Sequence, residues 1–154
     1  MSTTIFISHS VAPSELAIVA VTAEESLRRG ATPLVPGRDW DPEEMPQQIS
    51  DQINSSDYMI AIASQNGGHL SWLNTEINYW QSKGKPFLLV SDAVVQTNPL
   101  CERIILNRNN PLSTISEIHK KIEQKIHDNN AREIISGLLI GGVILMVLCS
   151  LKEK

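Results

Sequence analysis

The run Tyr58-Met59-Ile60-Ala61-Ile62-Ala63 is apolar at every position apart from one phenol hydroxyl. Ser55-Ser56-Asp57 breaks the chain before it, and Ser64-Gln65-Asn66-Gly67-Gly68 makes a polar loop after it. A run this short without polar alternation reads as a strand buried on both faces, the habit of a central strand in a parallel sheet. Such a strand needs helices above and below it, so the rest of the chain is expected to alternate strand and helix.

It does. Ile5-Phe6-Ile7 is a short first strand, followed by Ser8-His9-Ser10, which reads as a polar loop. Pro13 suits a first helical turn, with Glu15 at the favourable end of the dipole. Leu16, Ala20, Ala23 and Leu27 form a helical stripe that Gly30 stops. Residues 32–35 are a second strand. The stretch 36–42, Pro-Gly-Arg-Asp-Trp-Asp-Pro, is a loop, and 43–54 a helix with Ile49 and Ile53 one turn apart. Residues 71–80 form a helix that 83–86 ends, 87–90 a fourth strand and 103–106 a fifth, while 93–102 has no clear period. Ser113 is placed to cap a last helix whose buried stripe is Ile115, Ile118, Ile122 and Ile126. The expected class is α/β, a five-stranded parallel sheet with helices on both faces. Ligands of such sheets sit at the C-terminal strand ends. The loops 8–10, 37–42 and 64–68 gather there, with the start of the 71–80 helix.

That helix carries the chemistry. Leu73, Ile77 and Trp80 make its apolar stripe, and Trp72, Glu76 and Tyr79 repeat the spacing one residue earlier. Trp72 and Glu76 are therefore neighbours one turn apart. An aromatic ring that stacks a flat group, beside an acid that holds sugar hydroxyls, suits a nucleotide or glycosidic substrate. The plainer account is a boundary tryptophan and a solvated glutamate.

Other classes are disfavoured. The net charge of −4 and the lack of a basic patch in the domain argue against nucleic acid. Cys101 and Cys149 stand alone, without a disulfide framework or metal spacing, which fits a reducing compartment. No HExxH, no Cys/His ligand set and no phosphate-loop motif is present, so no metal is expected. His69, His119 and His127 read as solvated. The polar start, Met1 to Thr4, gives no signal peptide.

Residues 134–151 contain no charged side chain. This matches the lower limit of a membrane helix. Lys120, Lys121, Lys125 and Arg132 precede the run, and Lys152 and Lys154 follow it. The expected layout is a domain at 1–128, a polar hinge at 129–133 and a single-pass tail anchor at 134–151, with the domain on the cytoplasmic side. Gly137 and Gly141 form a GxxxG, which lets helices approach closely and suits self-association in the bilayer.

Over residues 4–128 the chain resembles a TIR (Toll/interleukin-1 receptor) domain of the short bacterial kind. Ile5 to Ser10 is similar to the family's first strand and Ser-aromatic-Ser loop, with His9 in the aromatic's place. Arg38-Asp39-Trp40-Asp41-Pro42 is similar to the RDxxP core of its second loop, with Glu43 where glycine is common. Ser56 to Ile60 resembles the entry to its third strand, and Trp72-Leu73-Asn74-Thr75-Glu76 matches the WxxxE of TIR domains that cleave NAD. The final box of the animal receptors is not recognisable.

The resemblance implies a flavodoxin-like sheet and an NAD+ nucleosidase. Glu76 would be the catalytic carboxylate. Ser8, His9, Ser10, Arg38, Trp40 and Trp72 would bind substrate, with Arg38 and Trp40 acting partly across an interface between protomers. NAD+ is then substrate, and no cofactor is implied. Hydrolysis and cyclisation to an ADP-ribose product both fit, in a role such as bacterial antiviral defence. Two alternatives stand beside this reading. One is a catalytically silent assembly module whose clustered membrane helices disturb the bilayer. The other is an α/β domain of the deoxyribosyltransferase type.

Overall fold

The computed structural model describes residues 3–64, 70–92, 101–107 and 109–139, with side chains as far as 128. Five parallel strands form one sheet in the order β2-β1-β3-β4-β5. They are β1 (Thr4–Ser10), β2 (Thr32–Leu34), β3 (Tyr58–Ala63), β4 (Phe87–Ser91) and β5 (Cys101–Ile105). The helices are α1 (Leu16–Arg28), entered through a 3-10 turn at Pro13–Glu15, then α2 (Gln47–Asn54), α3 (Ser71–Gln81) and α4 (Pro111–Leu139).

The alternation of side chains along each strand divides the core in two. Ile5, Ile7, Ile60, Ile62, Leu88 and Val90 pack with Val19 of α1 and with Ile118 and Ile122 of α4. Phe6, Met59, Ala61, Phe87 and Leu89 pack with Ile49 and Ile53 of α2 and with Leu73 and Trp80 of α3. Between the two layers β3, central in the sheet, is buried along its whole length. Chain order reverses between β1 and β3, which is the switch point where sheets of this order open a ligand crevice.

Several boundaries differ from the sequence reading. Ser8, His9 and Ser10 belong to β1, not to a loop. They continue its ladder with β3, in register with Ala61, Ile62 and Ala63. Their polarity does not end the strand, which keeps its pairing through Ser10. The second helix begins at Gln47, not at residue 43, because Pro46 stands at its N-cap with extended dihedrals. Proline disfavours helical geometry in the residue before it. The fifth strand lies two residues earlier at its start than expected and stops at Ile105. The last helix opens on Pro111, so Ser113 lies inside it and its hydroxyl donates to Asn110 O at 2.9 Å. The turn before that helix is held by Asn107. Its carboxamide oxygen accepts from the Asn109 and Asn110 N–H groups, and its own N–H donates to Thr114 Oγ1.

Helix α4 is continuous through 129–133, where the sequence suggested a hinge. Of the expected membrane span, 134–139 extend this helix and 140–151 lie outside the described residues, Gly141 among them. Among the described residues no helix is long and apolar enough to cross a membrane.

Candidate active site

Glu76 sits midway along α3, on the face turned to the sheet, and is fully buried at 0 % exposure. A lone carboxylate in such a place would be costly, so its partners decide what it is. Ser8 is an even step along β1 from Phe6 and points to the same layer; its hydroxyl donates to Glu76 Oε1 at 2.6 Å. Arg38, from the loop between β2 and α2, completes the set. Its Nη2 donates to Oε1 at 2.8 Å and its Nη1 to Oε2 at 2.9 Å. This is the two-pronged guanidinium–carboxylate geometry, the strongest kind of ion pair a side chain makes.

The same guanidinium caps the end of β1. Nε and Nη2 donate to His9 O at 3.2 and 2.8 Å. His9 thus contributes its carbonyl to the cluster. Its imidazole lies on the other side of the strand by alternation, and Nδ1 is buried with no partner among the described residues. Burial holds the imidazole below its ordinary pKa, and the Arg38 charge lowers it further, against a smaller opposing effect of the Ile7 backbone. Ser10 is buried at the last ladder position, paired with Ala63, and its carbonyl accepts from Ser64 N–H at 3.0 Å.

Helix α3 also grips the second loop. Trp72 Nε1 donates to Trp40 O at 2.7 Å, and Thr75 Oγ1 donates to Pro42 O at 2.8 Å. Trp40 in turn folds back, its Nε1 donating to Gly37 O at 2.8 Å. Trp72, Thr75 and Glu76 fall at i, i+3 and i+4, so one stripe of α3 holds the loop 38–42 at three points. The structure therefore brings Glu76, Ser8, Arg38, Trp40 and Trp72 into one cluster, with His9 joining through its backbone. The sequence reading missed Thr75, although its spacing from Trp72 was the available signal. It also missed Glu15, whose carboxylate accepts from Ser64 Oγ at 3.0 Å and ties the start of the first crossover to the end of β3.

The plain account of a solvated glutamate is excluded by the burial of Glu76. What remains is an acid locked in place by a serine and an arginine at the C-terminal edge of a parallel sheet. Such a group can orient sugar hydroxyls and favour positive charge developing beside it. Among the described residues no cluster of His, Cys, Asp and Glu is arranged to hold a metal. A cavity of about 290 Å³, lined by Glu15, Ile18, Leu106 and Thr114, lies on the α1 and α4 layer, across the sheet from Glu76.

No curated protein matches the chain. A family model does: that of the Thoeris protein ThsB, TIR-like domain, matches residues 6–97. The matched span contains β1 from Phe6 onward, β2 through β4, the gripped loop and all of α3. Four parallel strands of the sheet, with an arginine–aspartate loop docked on a WxxxE helix, lie in the matched stretch, and the chain belongs to the ThsB TIR-like family.

Proposed function

We propose that the chain is an NAD+ nucleosidase that breaks the nicotinamide–ribose bond, with Glu76 as the catalytic carboxylate. The reading rests above all on one observation: a fully buried glutamate held by Ser8 and Arg38 at the ligand edge of the sheet. Rupture of that bond passes through an oxocarbenium-like state, as in glycoside cleavage. Nicotinamide leaves as a neutral molecule, so no strong general acid is required. A single oriented carboxylate then suffices, holding ribose hydroxyls and offsetting the charge that grows on the sugar. Ser8 fixes the carboxylate rotamer, Trp72 and Trp40 wall the site, and Arg38 meets an anionic part of the substrate. Water or an adenine nitrogen takes the ribosyl cation, giving a hydrolysed or a cyclic ADP-ribose product.

Membership in the ThsB family supports a role in antiviral defence signalling. Assembly into homo-oligomers is the proposed trigger, with a tail anchor at 134–151 tethering the domain to a membrane and Gly137 and Gly141 favouring contact between anchors. One observation favours the second reading, a silent assembly module: both oxygens of Glu76 are already engaged by protein groups.

The test is nicotinamide release from NAD+ by protein forced to cluster, compared with Glu76→Gln. The amide keeps an acceptor for Ser8 and removes the charge. Release should fall by about 100-fold or more, the usual loss when a preorganised charge at a transition state is removed. Equal release by the two proteins rejects Glu76 as the catalytic group. No release by either, with vesicle leakage that depends on Gly137 and Gly141, establishes the assembly module.

A further inference from the structure

We infer that Arg38 is passed from Glu76 to the substrate in a paired exchange of charges. The site then opens to a ligand that carries a negative pyrophosphate and a positive glycosidic centre together. This rests on the reading of Glu76 as the group that meets the ribose.

The starting arrangement leaves no room for a sugar at the carboxylate. Oε1 accepts from Ser8 and Arg38, and Oε2 accepts from Arg38. With Glu76 fully buried, a ribose hydroxyl reaches it only if the guanidinium leaves. A departure without replacement strands a buried anion on one serine hydroxyl, a state proteins avoid strongly. It also strands a guanidinium that had two partners, His9 O and Glu76.

NAD+ supplies a partner for each. The oxidised nicotinamide ring is a cation directly attached to the ribose, so its arrival beside Glu76 restores the positive charge that Arg38 removes. The pyrophosphate presents the same two-oxygen edge as a carboxylate, which the guanidinium fork fits equally well. The summed charge at the buried site is unchanged through the exchange, and no covalent bond is made or broken in it. The geometry allows the swing. Of the three side chains that form the ion-pair cluster, Arg38 has an open side, at 19 % side-chain exposure, while Ser8 and Glu76 are both at 0 %. The loop's other two ties to α3 are at Trp40 and Pro42, beyond Arg38, so its side chain can move while those ties hold.

Two close relatives of NAD+ each lack one half of the exchange. NADH has the pyrophosphate, but its dihydronicotinamide is neutral. Nicotinamide riboside has the cation and no phosphate. Calorimetric binding to the full chain should rank them. A carbocyclic NAD+ analogue, which keeps both charges and cannot be cleaved, should bind at least about tenfold tighter than either, a charged pair's usual worth. Arg38→Lys keeps the charge and loses the fork, and it should narrow the gap to nicotinamide riboside while leaving the folded state intact by circular dichroism. Equal affinity of wild type for the analogue and NADH overturns the exchange, as does an unchanged ranking in Arg38→Lys. The measurement needs no turnover. If clustered protein fails to cleave NAD+ yet ranks the ligands as stated, the catalytic reading falls and the exchange stands.

Discussion

At the scale of single residues, the Arg38–Glu76 pair dominates. Removing one partner of a buried pair leaves the other uncompensated, at a loss of about 3–5 kcal/mol. Arg38→Met should therefore lower stability to urea by that order. The double variant Arg38→Met/Glu76→Gln should recover most of it, because no buried charge is left. A double variant as unstable as the single one would show that packing, not charge, is what Arg38 contributes. His9 gives a separate test through pH. Its folded pKa lies below the ordinary histidine value, so the unfolded chain takes up the proton first. The stability it contributes is present above about pH 6.5 and is lost as pH falls through the lower folded value. The melting temperature of wild type should fall more steeply than that of His9→Gln as pH drops below about 6.5. Parallel profiles would contradict the burial of a neutral imidazole. The pairing of Glu76 was not legible in the chain, because Arg38 is 38 positions away and only the fold brings it near. The neighbourhood of Trp72 and Glu76 was legible, because the two are one helical turn apart.

At the scale of elements, α3 is the piece that builds the site, and it does so by holding a loop. Trp72→Phe keeps the ring and removes the N–H that serves Trp40 O. An unpaired carbonyl there should cost about 1 kcal/mol and should speed proteolytic cleavage within 38–42. Unchanged cleavage would mean that Thr75 and Glu76 hold the loop unaided. Helix α1 ends in another legible device. Gly30 has φ +82°, its N–H donates to Leu27 O at 3.0 Å, and the Ala31 N–H donates to Ser26 O at 2.8 Å. Both bonds satisfy carbonyls left over at the helix end, in a turn that favours glycine. Gly30→Ala should lower stability by about 1 kcal/mol in chemical denaturation, from the left-handed backbone alone, since nothing lies within 4 Å of the added Cβ. The apolar stripes of α3 and α4 were plain in the sequence, and Leu73, Trp80, Ile118 and Ile122 are buried as their spacing demands. The end of β1 was not plain. Ser8, His9 and Ser10 read as a loop because polar residues usually leave a sheet, whereas here they stay in it, Ser8 bonding Glu76 and the His9 carbonyl bonding Arg38.

At the scale of the whole molecule, the parallel sheet explains why residues from three successive strand–helix units meet. Ser8 arrives on β1, Arg38 after β2 and Glu76 after β3, and all reach the same edge because every strand points the same way. That gathering was legible from the strand and helix alternation alone, whereas the order of the strands was not. The central claim is that Glu76 meets the ribose of NAD+. It is tested most directly by determining the structure of the chain with the uncleavable carbocyclic NAD+ analogue bound. The account predicts a Glu76 oxygen within about 2.6–3.2 Å of a ribose hydroxyl, with Arg38 turned to the pyrophosphate. An analogue bound elsewhere, with Glu76 still paired to Arg38, would contradict it.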